Sequence, residues 1–496
     1  MRLPRRWLAY LLPLWATAAL LLAAGVGAQE VGSGVVGAEP GPVTADVAAA
    51  QRTRLAREEA AGSTLVERAQ SLLGLLAFVA LAWALSVHRK AVRWKPVAIG
   101  VALQLLFGLL ILKTPLGRGF FAGLNDVFVA LLGYTTEGAR FIFGNLVLPN
   151  VPVGPTDGPF GPVTASGTWA ATGAFFAFNV LPTIIFFSSL MTLLYYLGVM
   201  QWVVRGFAWV MARTMGTSGA ESLNAAGNIF VGQTEAPLLI KPFVHSMTMS
   251  ELHAVMTGGF ATVAGGVLAA YVGMLVAYFP DIAGHLIAAS VMSAPAALAI
   301  SKVMYPETEE PVTRGELRVE LERPDVNVID AAARGAAEGL QLALNVGAML
   351  LAFIALIALI NGILGWMAGW FGAELTLQAI LGVVGAPFAW LMGVPWQDSL
   401  AVGTLIGEKT AVNEFVAYLH LAELLQSGST LSARSVVIAT YALCGFANFS
   451  SIAIQIGGIG GIAPERRSDL SRIGLRAMIA GTLAAFMTAC VVGILI

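Results

Sequence analysis

Apolar residues in this chain come in runs too long for ordinary core helices and too uniform for strands, divided by short polar stretches. A run of about 20 apolar residues crosses a bilayer as a helix, because in lipid every backbone N–H and C=O must be satisfied internally. On this pattern residues 72–87, 96–112, 171–199, 255–279, 282–303, a stretch within 336–371, 435–456 and the last run to Ile496 predict membrane helices. That is about eight spans. Residues 114–147 and 375–394 predict interfacial helices instead; Pro115, Asp126, Glu137 and Arg140 interrupt the first of them. Residues 148–168, rich in Pro and Gly, predict a loop. The expected fold class is an all-α polytopic membrane protein.

Two segments break the pattern. Residues 219–246 contain Gly232-Gln233-Thr234-Glu235-Ala236-Pro237, and residues 396–425 contain Gly407-Glu408-Lys409-Thr410-Ala411. A charge at bilayer depth costs about 2.5–3.5 kcal/mol on insertion scales, so such clusters are rarely kept without a role. Both segments are too polar for plain spans and predict re-entrant hairpins, the first entered from the cytoplasm and the second from outside. Irregular backbone is tolerated there because it lines a cavity. Each hairpin is followed by a related motif, Gly259-Phe260-Ala261-Thr262-Val263 after the first and Gly445-Phe446-Ala447-Asn448-Phe449 after the second. An odd number of spans separates the copies, which predicts an inverted-topology repeat with its site where the two broken halves meet.

Charge fixes the orientation. His88-Arg89-Lys90, Arg93 and Lys95 form the clearest basic loop, and Arg466, Arg467, Arg472 and Arg476 mark another; both belong in the cytoplasm by the positive-inside rule. The resulting division is a signal peptide at 1–28 and an extracytoplasmic segment at 29–67. Scaffold helices at 68–170 follow, then a first repeat at 171–303, a charged cytoplasmic linker at 304–334 and a second repeat at 335–496. The leader rests on Arg2, Arg5 and Arg6 before an apolar run that ends in Val26-Gly27-Ala28. An uncleaved anchor is the competing reading. The place of such a chain is the inner (plasma) membrane, crossed many times.

Composition removes several classes. The 496 residues are 57% hydrophobic and only 11% charged, against about 25% charged in soluble domains. A net charge of −1 gives no footing for a nucleic-acid partner. The two cysteines, Cys444 and Cys490, lie in apolar segments outside any zinc or redox motif.

What remains is chemistry for a polar solute. A broken helix exposes carbonyls to a cation and N–H groups to ligand oxygens. Hydroxyl, amide and carboxylate side chains on the same turns add directional hydrogen bonds, which suit a neutral, polyhydroxylated, aromatic molecule. Each of these groups also has a structural reading. Glu235 and Glu408 could pair with Lys241 or Lys409, and Gln233 and Thr234 could cap a hairpin. Asn448 and Ser451, three apart, could bond between helices, and Phe446 could simply pack. Asn228 and Thr262 could cap broken turns, Asn413 and Glu414 could support a hairpin, and Asp330 fits a helix cap. The five histidines are scattered and predict no ligand.

Four motifs resemble the concentrative nucleoside transporters: Asn228-Ile229-Phe230-Val231-Gly232-Gln233-Thr234-Glu235-Ala236-Pro237; Gly407-Glu408-Lys409-Thr410 with Asn413-Glu414-Phe415; Cys444-Gly445-Phe446-Ala447-Asn448-Phe449-Ser450-Ser451; and Asn327-Val328-Ile329-Asp330-Ala331-Ala332 leading to Gly339-Leu340 and Asn345-Val346. The resemblance covers roughly residues 70–496. It implies a homotrimer in the lipid bilayer, each protomer carrying nucleoside through its own pathway. It places the nucleobase on Gln233, Thr234 and Glu235, the ribose on Glu408, Asn448 and Ser451, and Phe446 beside one or the other. It places a sodium ion on Asn228, Val231, Thr262 and Val263, which implies Na⁺ as the coupling ion and no bond-making chemistry. A proton-coupled symporter of the same fold is the nearest alternative. An intramembrane hydrolase using Glu235 or Glu408 as base is a distant one, since neither His-x-x-Glu-His nor Gly-x-Ser-x-Gly surrounds them.

Overall fold

A computed structural model describes residues 42–147, 150–153, 168–171, 176–314, 325–370, 372–373 and 375–496. The leader expected at 1–28 lies outside them, as does the stretch 315–324 of the expected linker.

Helix α1 (Pro42–Ala61) precedes the first membrane helix, α2 (Leu65–Ala84). Thr64 starts α2 through a capping box: its hydroxyl accepts from the Glu67 N–H, and the Glu67 carboxylate accepts from the Thr64 N–H at 2.7 Å. Helix α3 (Trp94–Lys113) returns, and α4 (Pro115–Phe143) follows at once. The polar interruptions predict an interfacial helix, but α4 is unbroken and long and apolar enough to cross a membrane. Pro115 stands in the first turn of a continuous 29-residue helix, where its missing N–H costs nothing, and the Thr114 hydroxyl caps it from Gly117. A short ribbon pairs β1 (Asn150–Val153), within the segment expected to be a loop, with antiparallel β2 (Thr168–Ala171), which starts at that segment's last residue. Helices α5 (Leu181–Tyr196) and α6 (Val199–Met215) lead into the first hairpin.

That hairpin has α7 (Gly219–Gly227) as one arm and a 3₁₀ helix, Ala236–Ser246, as the other. Pro237 and Pro242 deny the second arm regular α-helical bonds. Helices α8 (Met249–Ala261) and α9 (Gly265–Leu275) are the halves of one span broken at 262–264, and α10 (Ile282–Met304) returns. The second half repeats the scheme. Helix α11 (Val328–Gly369) opens it. Helix α12 (Leu377–Leu391) is bent by 118° from α13 (Trp396–Ala411), which with α14 (Glu414–Gln426) forms the second hairpin. The second broken helix, expected at Gly445-Phe446-Ala447-Asn448-Phe449, divides residues 435–456 into α15 (Ala433–Leu443) and α16 (Phe449–Ile462). Helix α17 (Arg467–Leu495) is last. Eight helices or helix pairs among the described residues are long and apolar enough to cross a membrane.

Burial divides these elements into an inner and an outer set. The apolar windows of the α8–α9 pair, α10 and the α17 span are 89%, 94% and 83% buried, whereas that of α11 is only 11% buried. Small residues allow the close outer contact of α11 with α5. A Cβ at Gly339 would lie 2.7 Å from the Ser188 Cβ, so that motif glycine is explained by packing. Asn327 caps α11 by accepting from the N–H groups of Ile329 and Asp330, while the Asp330 carboxylate accepts from the Val326 N–H at 2.9 Å. The capping role expected of Asp330 is therefore shared with Asn327.

Two polar clusters brace the hairpins. The buried Lys302 ammonium lies 2.7 Å from Glu221 on α7 and 3.3 Å from Glu307, and donates to the Ser250 hydroxyl at 2.9 Å. At the second hairpin, α1 holds the connection between α14 and α15. Gln51 donates to the Ser429 carbonyl at 3.2 Å, Arg54 donates to the Leu431 carbonyl at 2.9 Å, and Glu58 accepts from the Ala433 N–H at 2.8 Å.

Candidate functional site

The two helix breaks meet back to back. Gly445 has φ +121°, a conformation that L side chains rarely adopt, and a Cβ there would lie 2.6 Å from the Phe260 carbonyl oxygen and 2.9 Å from the Ala261 carbonyl carbon. Only glycine lets the second break lie against the first. The related motifs found in sequence therefore touch each other in space.

Around this crossing, the first hairpin and the second broken helix join through side chains. Gln233, 7% exposed, donates to the Ser451 hydroxyl at 3.1 Å and accepts from the Gln455 amide at 3.0 Å. Gln455 also donates to the Met256 carbonyl at 3.2 Å, and its Oε1 is buried without a hydrogen-bond partner. Thr234 is half-buried against α16, its Cγ2 3.0 Å from the Cβ that Gly458 lacks. Glu235 is exposed, and its carboxylate folds back over Gly232. No ion pair joins it to Lys241 among the described residues.

Asn448 occupies the N-cap of α16 and does not share a helix face with Ser451. Its Oδ1 accepts from the Ser451 N–H at 2.9 Å and from the Ser450 hydroxyl at 2.7 Å, and its amide donates to Glu414 at 2.9 Å. The second Glu414 oxygen accepts from the Tyr271 hydroxyl at 3.0 Å. Both Glu414 oxygens are thus occupied, and Asn413 caps α14 through the Val416 N–H. This pair supports the hairpin and sets Asn448. Phe446 is 9% exposed and belongs to the apolar core around the break.

Glu408 is 3% exposed. The neighbouring Lys409 does not pair with it but donates to the Ala442 carbonyl at 2.9 Å, one turn before the second break. The partner of Glu408 is His420, whose Nδ1 lies 2.8 Å from Oε2.

The cation candidates cluster at the first break. Asn228, just past the C-terminal end of α7, donates to the Asn224 carbonyl at 3.1 Å, yet its Oδ1 is buried without a partner, as is the Asn224 Oδ1. The Asn228 amide packs against α8, 3.4 Å from where a Cβ of Gly258 would be. Thr262, 2% exposed, donates to the Gly258 carbonyl at 2.9 Å and keeps its oxygen lone pairs. Val263 is buried and Val231 half-buried at the same break. Orphaned buried oxygens cost about 1–3 kcal/mol each when unmet. An oxygen-seeking cation is what this donor-poor, acceptor-rich corner fits.

Sequence reasoning missed Gln455, Asn224 and His420. The first two were within reach: Gln455 is one turn beyond Ser451 on α16, and Asn224 one turn before Asn228 on α7. His420 looked isolated because its partner stands on the other arm of a hairpin.

Known proteins share this architecture. The sequence matches the Na⁺ dependent nucleoside transporter N-terminus over residues 73–146, a nucleoside recognition (Gate) region over 177–278, and the Na⁺ dependent nucleoside transporter C-terminus over 285–493. It is 47% identical to an uncharacterized transporter of Haemophilus influenzae, over 86% of this chain and 97% of that one. It is 45% identical to the Mus musculus protein solute carrier family 28 member 3, over 85% of this chain and 58% of the longer mouse protein. Among solved structures it is similar to CNTnw in an inward-facing substrate-bound state, with a TM-score of 0.75 and 45% identity over 86% of this chain and 97% of that chain. With its paired hairpins and crossed breaks, this chain belongs to the Na⁺-dependent, or concentrative, nucleoside transporter family, whose members are membrane transporters and not enzymes.

Proposed function

We propose that this protein is a sodium-coupled symporter that imports nucleosides across the inner (plasma) membrane by alternating access, as a homotrimer with one pathway per protomer. One observation carries the reading. The same short hairpin carries Asn228, whose Oδ1 is orphaned and whose amide packs against α8 beside Gly258, one turn before the first break, and Gln233, whose amide reaches Ser451 beyond the second break at 3.1 Å. A cation that satisfies Asn228 and Thr262 would fix the hairpin tip and thereby Gln233, so ion and substrate would bind through one rigid element. The carbonyls of Val231 and Val263 would complete the ion's oxygen shell.

In this reading Gln233, Thr234 and Glu235 recognise the base, while Glu408 and Ser451 take the ribose hydroxyls. Asn448, with its side chain already engaged by Glu414 and Ser451, contributes chiefly by setting the start of α16. Phe446 packs beneath the site. Counterflow of a nucleoside panel in proteoliposomes, with and without a sodium gradient, tests the proposal. Nucleoside exchange that accelerates with sodium is expected. Uptake that is unchanged when choline replaces Na⁺ at fixed pH would overturn the coupling and leave a proton-driven symporter.

A further inference from the structure

The second hairpin holds two buried carboxylates in very different states. Glu414 has both oxygens engaged, by Tyr271 and by Asn448. Glu408 has only Oε2 engaged among the described residues, by the Nδ1 of His420. A carboxylate at 3% exposure needs a donor, and its neighbour Lys409 is committed to the Ala442 carbonyl. His420 supplies that donor from the opposite arm, α14. The histidine side chain is itself 29% exposed, so the pair lies at an open edge of the chain's packing.

The choice of side chain matters. An arginine would clamp both carboxylate oxygens with its fork, and a lysine would reorient freely. An imidazole has one N–H in reach and a ring that turns about few bonds. With Nδ1 as the donor, it holds one oxygen and leaves the other.

We infer that His420 is a positioning residue of the substrate site: it fixes the Glu408 carboxylate by one oxygen so that the other is presented to a sugar hydroxyl. This rests on the reading of Glu408 as the ribose acceptor. It adds a residue that acts through Glu408, needs no contact with the nucleoside, and tunes affinity for hydroxylated sugars over deoxygenated ones.

The test is uptake of uridine, 2′-deoxyuridine and 3′-deoxyuridine by the full chain in proteoliposomes. For His420→Ala, the KM for uridine is expected to rise about tenfold, the scale of one lost hydrogen bond to a charged group, with maximal rate within about twofold. For the deoxy analogue lacking the hydroxyl that Glu408 accepts, the penalty should shrink to under about threefold. His420→Asn, whose amide nitrogen can stand in for Nδ1, should recover most of the uridine affinity. His420→Phe keeps a ring without the donor and serves as the second loss variant should the alanine protein fail to fold. Equal penalties for all three nucleosides, an unchanged KM in the loss variants, or an asparagine variant as impaired as phenylalanine would each overturn the inference. If the unmodified protein takes up none of the three, the transport reading itself fails and this inference falls with it.

Discussion

At the scale of single residues, the proposed site divides labour between groups that would touch solute and groups that hold them. Glu408→Gln replaces an acceptor by an amide that offers a donor to His420's side. Uridine uptake should fall to near background while membrane insertion is preserved; normal uptake would remove Glu408 from the ribose role. Asn228→Ala deletes the orphaned Oδ1, so the sodium concentration for half-maximal uptake should rise several-fold, about 1–2 kcal/mol for one lost ligand. A sodium titration of uptake checks it. The candidate groups were legible in sequence, because a carboxylate or amide in an apolar run is conspicuous. What could not be read was pairing. Lys409 adjoins Glu408 in sequence, yet a helix points neighbouring side chains about 100° apart, and the partner came from twelve residues away across a hairpin. Asn448 and Ser451 have helical spacing, but the helix begins between them, so one caps the other.

At the scale of elements, glycine and proline decide where helices stop. Gly445→Ala would force a side chain into a positive-φ backbone and against the Phe260 carbonyl. Backbone strain alone is about 1–3 kcal/mol, so the variant should melt at a clearly lower temperature in a detergent thermal-shift assay. The hairpins and the repeat were visible in sequence because polar clusters broke an otherwise apolar pattern. One element departs from its expectation. Pro115, Asp126, Glu137 and Arg140 predict an interfacial α4, yet it is a continuous helix, long and apolar enough to cross a membrane, and at a first turn Pro115 is a starter. The second break was legible because Gly445-Phe446-Ala447-Asn448-Phe449 echoes the motif of the first, and α15 and α16 stop and start on either side of it. The N-terminal α1 had no assigned role in sequence, yet it caps the connection at 427–433. Its removal should speed amide hydrogen exchange there without comparable change in α10, measured by mass spectrometry on the full-length and shortened proteins.

At the scale of the whole molecule, the buried helices form one body and the sparsely buried ones its flank. Helix α11, 42 residues long and therefore about 63 Å from end to end, exceeds a bilayer's hydrocarbon thickness. Its exposed Leu351, Leu359 and Ile363 need lipid or another copy of the chain for cover. The contact between the two breaks reaches further than the site it frames. Gly445 rests on the backbone of the opposite repeat, so each half of the protein is the mould in which the other keeps its kink. Neither half should hold its shape when made alone. A chain cut between the repeats, within 315–324, should yield nucleoside uptake only when both fragments are produced in the same cell, and purified fragments should copurify; uptake from either fragment alone would show the halves to be independent. Such interlocking ties the fate of the two repeats together, because a substitution at one kink is felt first by the other.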